Sequence, residues 1–158
     1  MMHDETQGDI DSFSGKYDWL SNFFVIPIRM DDDIIYPSAE HAYQAYKSEI
    51  EEERDIIRHC FTASKAKRKG QHVTLRKNWS KLKIDVMKDI VRRKFTQNKE
   101  LGGKLLATGS RKLIEGNHWK DYYWGVCRGR GTNHLGKILV LIRQDLRQHS
   151  TETRNFDS

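Results

Sequence analysis

Cysteine and proline are scarce in this sequence, two of each in 158 residues, and no apolar run is long. Each shortage excludes something. Cys60 and Cys127 stand alone, with no C-x-x-C pair, so a disulfide framework and a cysteine-bound zinc site are both unexpected and a reducing compartment is compatible. The longest apolar stretches, such as 138–142, span only a few residues, and the charged N-terminus has no signal-peptide core. A cytoplasmic protein with no membrane partner is expected. The seven histidines include no H-E-x-x-H or other ligand spacing, so no metal and no cofactor is anticipated. G-x-S-x-G, the P-loop G-K-[ST] and a Rossmann G-x-G-x-x-G after a strand are absent as well.

What is present is enough for one core. The chain is 37% hydrophobic, 10% aromatic and 32% charged, with apolar residues spread over most of its length. One domain over 12–148 is expected, between a flexible N-terminus, 1–11, and a flexible tail, 149–158. The 28 basic and 22 acidic residues leave a formal charge of +6. Acids gather at 4–11, 31–33 and 49–55, which leaves 65–83 and 128–130 basic. Such a chain attracts polyanions without specifying one; solvated lysines on helix faces give the same pattern.

Two β-prone runs, Phe23–Arg29 and Ile34–Tyr36, flank three aspartates and predict a short hairpin, with Pro27 confining it to an edge. Ser38 then reads as an N-cap, with Ala42, Tyr43, Ala45 and Tyr46 at helical spacing. An acidic helical segment to about Phe61 follows, and a basic helix from Ala63 to Lys69 capped by Thr62. The strongest stripe is Leu82, Val86, Met87, Ile90, Val91 and Phe95, predicting a helix over 80–97 with its lysines and arginines opposite. A short helix over 101–107, a possible strand at Leu113 and Ile114, a glycine- and tryptophan-rich loop and a last helix from Leu135 to about Arg147 complete the chain. Strands do not alternate with helices, so a doubly wound sheet is unsupported.

Four places carry chemistry. Glu40, in the first turn after Ser38 and beside Tyr43, is either a carboxylate tuned by desolvation or an acid placed there by the helix dipole. "KDYYWG" puts Asp121 and Trp124 in an aromatic loop, as a stacking platform with a hydrogen-bond acceptor or as a lid on the core. "GVCRGRGTNHLG" offers glycines and two arginines just before a helix, an arrangement suited to phosphate at a helix N-terminus and equally to a flexible basic loop. "TASKAKRKG" crowds Lys67 among like charges, one route to a nucleophilic amine, although most lysines in such runs are solvated. Trp79, before the main helix, is a core anchor or a stacking wall.

In order, "YDWLSNFF", "IIYPSAEHAYQAYK", "AKRKG", "LRKNW", "VMKDIVRRKFTQN", "LLATGSRKLIE", "DYYWG" and "RGTNHLGKILVLIR" resemble the YbiA-like family, also called NADAR, over about Ser12 to Leu146. The resemblance implies a compact, mainly helical α+β domain with a few short β-strands, and a metal-free N-glycosidase acting on nucleotide-like substrates. Two activities are associated with the family: cleaving early riboflavin-pathway intermediates, and removing ADP-ribose from guanine in nucleic acid. The family's "SNF" falls on Ser21, Asn22 and Phe23. Its "SEH" falls on Ala39, Glu40 and His41, with alanine where serine is usual. Its later elements fall on Trp79, on Asp121, Trp124 and Gly125, and on Gly131, Asn133, Leu135 and Gly136. Lys67 matches the lysine of the ADP-ribosyl-guanine branch, for which a Schiff-base route at the anomeric carbon has been proposed.

These correspondences imply Glu40, Lys67 and Asp121 as catalytic residues. Asn22, Phe23, Phe24, His41, Trp79, Trp124, Gly125, Arg128, Arg130, Gly131 and Asn133 would bind substrate. The implied partner is an ADP-ribosylated guanine nucleotide or nucleic acid. The alternatives are a phosphorylated riboflavin precursor cleaved with Lys67 as a phosphate contact, and a non-enzymatic ADP-ribose or nucleotide sensor using the same pocket.

Overall fold

A computed structural model describes residues 8–156. They pack as two compact units, Leu20–Gln97 and a discontinuous one joining the chain up to Trp19 to the chain from Asn98 onward. Residues 1–7 of the expected flexible N-terminus, and 157 and 158 of the expected tail, lie outside the described residues. The elements in both units are helices with short strands, the α+β composition expected.

In the Leu20–Gln97 unit, strands β1 (Val25–Arg29) and β2 (Ile35–Ser38) form the expected antiparallel hairpin, pairing Val25 with Ser38 and Arg29 with Ile35. The register slips between Val25 and Ile28, where Pro27 has no N–H to give. The turn is built by its acids. Asp33 takes φ 64°, Asp32 accepts from the Ile34 N–H, and Asp32 and Asp31 accept the hydroxyls of Tyr36 and Tyr46. Burial pushes the Tyr36 hydroxyl up to about 12, assisted by the neighbouring Asp32.

The hairpin leads straight into α1 (Ala39–Tyr46). Ser38 Oγ accepts from the His41 N–H at 3.1 Å, the expected N-cap, and every residue of α1 is buried. Around α1 pack α2 (Glu51–Arg58), α3 (Ala63–Gly70) and α4 (Trp79–Gln97). Thr62 caps α3 through the Lys65 N–H. Along α4 the inward stripe is Met87, Ile90, Val91 and Phe95, and with them Lys94, which the sequence placed on the solvent side. Lys94 is only 1% exposed; its Nζ donates to the Ser21 carbonyl at 2.8 Å and lies over the rings of Phe24 and Phe95.

In the other unit, α5 (Lys99–Ala107) packs on α6 (His134–Phe156), with Leu101, Leu105, Leu135, Ile138, Leu139 and Ile142 buried. The helix α6 runs nine residues past the expected end at Arg147, since no glycine or proline interrupts the sequence there. The expected strand at Leu113 is a single parallel bridge to Ile10. Ile10 is 1% exposed and exchanges backbone hydrogen bonds with Lys112 and Ile114, so the segment assigned to a flexible end is held from here on. A two-residue parallel pair, β3 (Gly116–Asn117) with β4 (Val126–Cys127), frames the aromatic loop.

Candidate active site

Glu40 is 7% exposed. Its backbone N–H donates to the Asn22 carbonyl at 2.9 Å, which ties the "SNF" turn to the first turn of α1. Its Oε1 accepts from Gln44 Nε2 at 2.7 Å, one helical turn on. Gln44 is itself buried, and its Oε1 meets no hydrogen-bonding partner among the described residues. Gly70 closes on it from α3: a Cβ there would stand 1.9 Å from Gln44 Oε1 and 2.6 Å from Cδ. The glycine of "AKRKG" therefore lets α3 approach α1 and fixes the amide that holds the carboxylate.

A cation, Lys47, faces this carboxylate and has other cations near it. Lys47, one further turn along the same face of α1, is half-buried with its Nζ 5.6 Å from the centre of the Tyr43 ring. Burial pulls the Lys47 ammonium below the ordinary lysine range, against the pull of Glu40, and the like charges of Lys67 and Lys83 act with the burial. Lys67 is exposed on α3, with its Nζ 5.9 Å from the ring centre of Phe23, itself 42% exposed. Trp79 is 8% exposed and packs against Tyr43 at 5.4 Å, so it backs a ring next to Glu40 as a core anchor. Asn22, Phe23, Glu40, Lys67 and Trp79, scattered over 58 positions of sequence, are thus gathered on α1 and its neighbours.

His41 faces elsewhere. Its Nε2 donates to the Cys60 carbonyl at 2.9 Å and its Nδ1 lies 2.7 Å from Ser38 Oγ, so both ring nitrogens are committed within the protein. A carbonyl only accepts, which places a proton on Nε2. Phe24, under the Lys94 ammonium, is part of the packing below the "SNF" turn.

In the second unit the sequence-marked residues also gather, around the aromatic loop. Asp121 Oδ1 accepts from the N–H groups of Tyr123 and Trp124, at 3.1 and 2.9 Å, and so shapes the turn that presents Trp124. Trp124 stands edge-on to Tyr123 at 4.8 Å and 6.2 Å from His134. Asn133, with φ 57°, bridges the Leu113 carbonyl and the Glu115 N–H. Gly125 and Gly131 meet backbone: a Cβ on Gly131 would stand 2.2 Å from the Gly125 carbonyl oxygen.

The expectation that the start of α6 offers its N–H groups to a phosphate is not met. Those of Thr132, Asn133, His134 and Leu135 donate to the carbonyls of Tyr122, Gly125, Tyr123 and Trp124. What this loop keeps for an anion is the exposed pair Arg128 and Arg130 on a tight turn, in which Arg128 and Gly129 both have positive φ.

Gln44, Lys47 and Gly70 lie in the quoted segments, but the sequence assigned none of them a role at Glu40. The first two stand four and seven residues after Glu40, a helical signal in plain view. Gly70 closes the quoted "AKRKG" run, but its role depends on the α1–α3 approach, which no spacing announces. Among the described residues no group of three or more His, Cys, Asp or Glu side chains could hold a metal, and no helix is long and apolar enough to cross a membrane.

The NADAR domain model matches residues 10–147. The chain is 40% identical over 138 residues to N-glycosidase YbiA of Escherichia coli, covering 85% of each chain. It is 33% identical to an N-glycosidase of Nostoc punctiforme, over 83% of this chain and 86% of that one. A riboflavin biosynthesis protein of Vibrio vulnificus is 36% identical over 85% of this chain and 37% of its own length. The NMR structure of E. coli YbiA superposes with a TM-score of 0.83 at 38% identity, over 96% of this chain and 90% of that one.

Proposed function

The chain belongs to the NADAR domain family, and from that membership we propose that it is an N-glycosidase whose substrate is guanine carrying ADP-ribose. The observation that carries the reading is Glu40: a nearly buried carboxylate, gripped by Gln44 and attracting the Lys47 ammonium, which in turn feels the like charges of Lys67 and Lys83. An N-glycosidic bond breaks with positive charge growing on the anomeric carbon, and a fixed carboxylate stabilises that charge or deprotonates what attacks it. The cations suit the diphosphate of an ADP-ribosyl group.

Lys67 supplies the amine in this reading. Its lone pair adds to the anomeric carbon, the bond to guanine breaks, and the base leaves with the electron pair and takes up a proton. Ring opening then gives an imine between Lys67 and the sugar. Water adds to the imine carbon, the carbon–nitrogen bond breaks, and the amine and ADP-ribose are released. In their own unit, Asp121 holds the loop that presents Trp124, a ring suited to stacking, and the exposed Arg128 and Arg130 offer charge suited to phosphate.

A second reading is cleavage of a phosphorylated riboflavin precursor, favoured by the name of the Vibrio relative. Turnover of the two substrates side by side decides between them. Release of ADP-ribose from a modified guanine oligonucleotide should fall about 10²- to 10⁴-fold in Glu40→Gln, the range for losing a positioned acid or base. Cyanoborohydride should trap a covalent adduct in wild type and none in Lys67→Ala. Preferential turnover of the riboflavin precursor would discard the guanine reading.

A further inference from the structure

The turn between α2 and α3 carries Phe61, a residue 90% exposed, the highest value among the described large apolar residues. A single exposed ring is common on protein surfaces and marks no site by its exposure alone, so what matters is what holds it and what lies beside it. The turn is held firmly. The Cys60 carbonyl accepts from His41 Nε2 at 2.9 Å, the Cys60 N–H donates to the Ile57 carbonyl, and Thr62 Oγ1 caps α3 through the Lys65 N–H. His41 directly follows Glu40, so the rigid element that fixes the carboxylate also fixes the backbone on which Phe61 projects.

The surroundings of Phe61 are cationic. Lys65 Nζ lies 6.0 Å from its ring centre, and α3, ASKAKRKG, has four cations and no acid. At the end of α2, Asp55 is matched by Arg58 at 2.7 Å, with His59 at 3.5 Å. Two ring–cation pairs therefore share α3. Phe23 with Lys67 belongs to the site already described, and Phe61 with Lys65 is used by nothing in it. A ring open to solvent beside ammonium groups has the chemistry of single-strand nucleic-acid binding, in which an unpaired base stacks on the aromatic and the cations meet the backbone phosphates. A free nucleotide would have no second base to place there.

We infer that Phe61 and Lys65 form a stacking platform for an unpaired base flanking the modified guanine, which makes the substrate a single-stranded nucleic acid. The inference rests on the guanine reading above. Phe61→Ala, Phe61→Trp and Lys65→Gln, all changes at exposed positions, would be compared with wild type on ADP-ribosylated guanine in a single-stranded oligonucleotide and as the free modified nucleoside. Phe61→Ala should raise KM for the oligonucleotide about tenfold, with kcat and both constants for the nucleoside unchanged. Phe61→Trp should restore the wild-type KM. Lys65→Gln should lower the salt slope of oligonucleotide binding by about 0.7. An unaltered KM in Phe61→Ala, or an equal loss on both substrates, overturns the platform.

Affinity for a fluorescein-labelled, unmodified oligothymidine decides the matter even if wild type proves to act on a riboflavin precursor. In that case the guanine reading fails and the flanking guanine with it, while a single-strand stacking platform at Phe61 stands if Phe61→Ala weakens oligothymidine binding and falls if it does not. Loss of self-association or of vesicle binding in Phe61→Ala, with oligothymidine affinity unchanged, would assign the ring to another partner and overturn the inference.

Discussion

In the proposed mechanism Glu40 acts only while its carboxylate stays where Gln44 holds it, and Gln44 stays there because Gly70 leaves room and nothing more. Gln44→Leu keeps the size and removes the donor, so the ionised form of Glu40 loses a hydrogen bond. The acid limb of the pH–kcat profile should move to higher pH, a change that a packing defect alone does not produce. Gly70→Ala should show the same shift, because a Cβ there forces the amide to rotate away. An unmoved acid limb in both variants would disconnect Gln44 from the carboxylate. Lys47 gives a second test of this neighbourhood. Burial lowers its proton affinity in the folded chain, so between the folded value and the ordinary lysine range the unfolded state binds more protons. Stability therefore rises with pH through that interval, and the penalty is fully present below it. Lys47→Met should flatten this rise in urea titrations from pH 8 to 11, and an unchanged slope would contradict the burial argument. The sequence showed Glu40 but not its controls. Gln44 and Lys47 obey helical spacing that was there to be read, whereas Gly70 and Lys94 take their meaning from chain segments 26 and 73 positions away.

At the scale of elements, α1 is where local signals and tertiary packing agree. Ser38 takes the extended conformation of a cap, accepts the His41 N–H, and its hydroxyl also meets the His41 ring. Ser38→Ala should cost about 1–2 kcal/mol, from the lost cap and the unpaired buried ring nitrogen, measured by urea unfolding. Ser38→Thr should recover most of it. The hairpin, α1, α3 and α4 were legible to within a residue or two because each carries its own punctuation: three aspartates, Ser38, Thr62, and the apolar stripe running to Phe95. The exceptions share one cause. Lys94 looks like a solvent-facing cation until the Ser21 carbonyl and two phenylalanine rings are brought to it, and Ile10 looks terminal until Leu113 pairs with it. The α6 N-terminus likewise looked available to an anion, and the partners that occupy it lie on the loop just before it, where no periodicity announces them.

At the scale of the whole molecule, the formal charge of +6 is the one property that acts on a substrate before contact. Its basic stretches include α3, beside Glu40, and the Arg128–Arg130 turn. Such a field raises encounter rates with anions and is screened beyond about 8–10 Å at 0.10–0.15 M salt. A substrate carrying only its own diphosphate meets few of these cations, and an oligonucleotide meets many and releases counterions in proportion. The logarithm of kcat/KM should therefore fall with the logarithm of salt concentration for both substrates, more steeply for the modified oligonucleotide than for the modified nucleoside, with kcat nearly constant. Charge alone accounts for the shared part of the two slopes, and the difference counts the phosphates met beyond the ADP-ribosyl group. Equal slopes would mean that only the ADP-ribosyl group touches the protein, and the natural substrate would then be as small as a nucleotide.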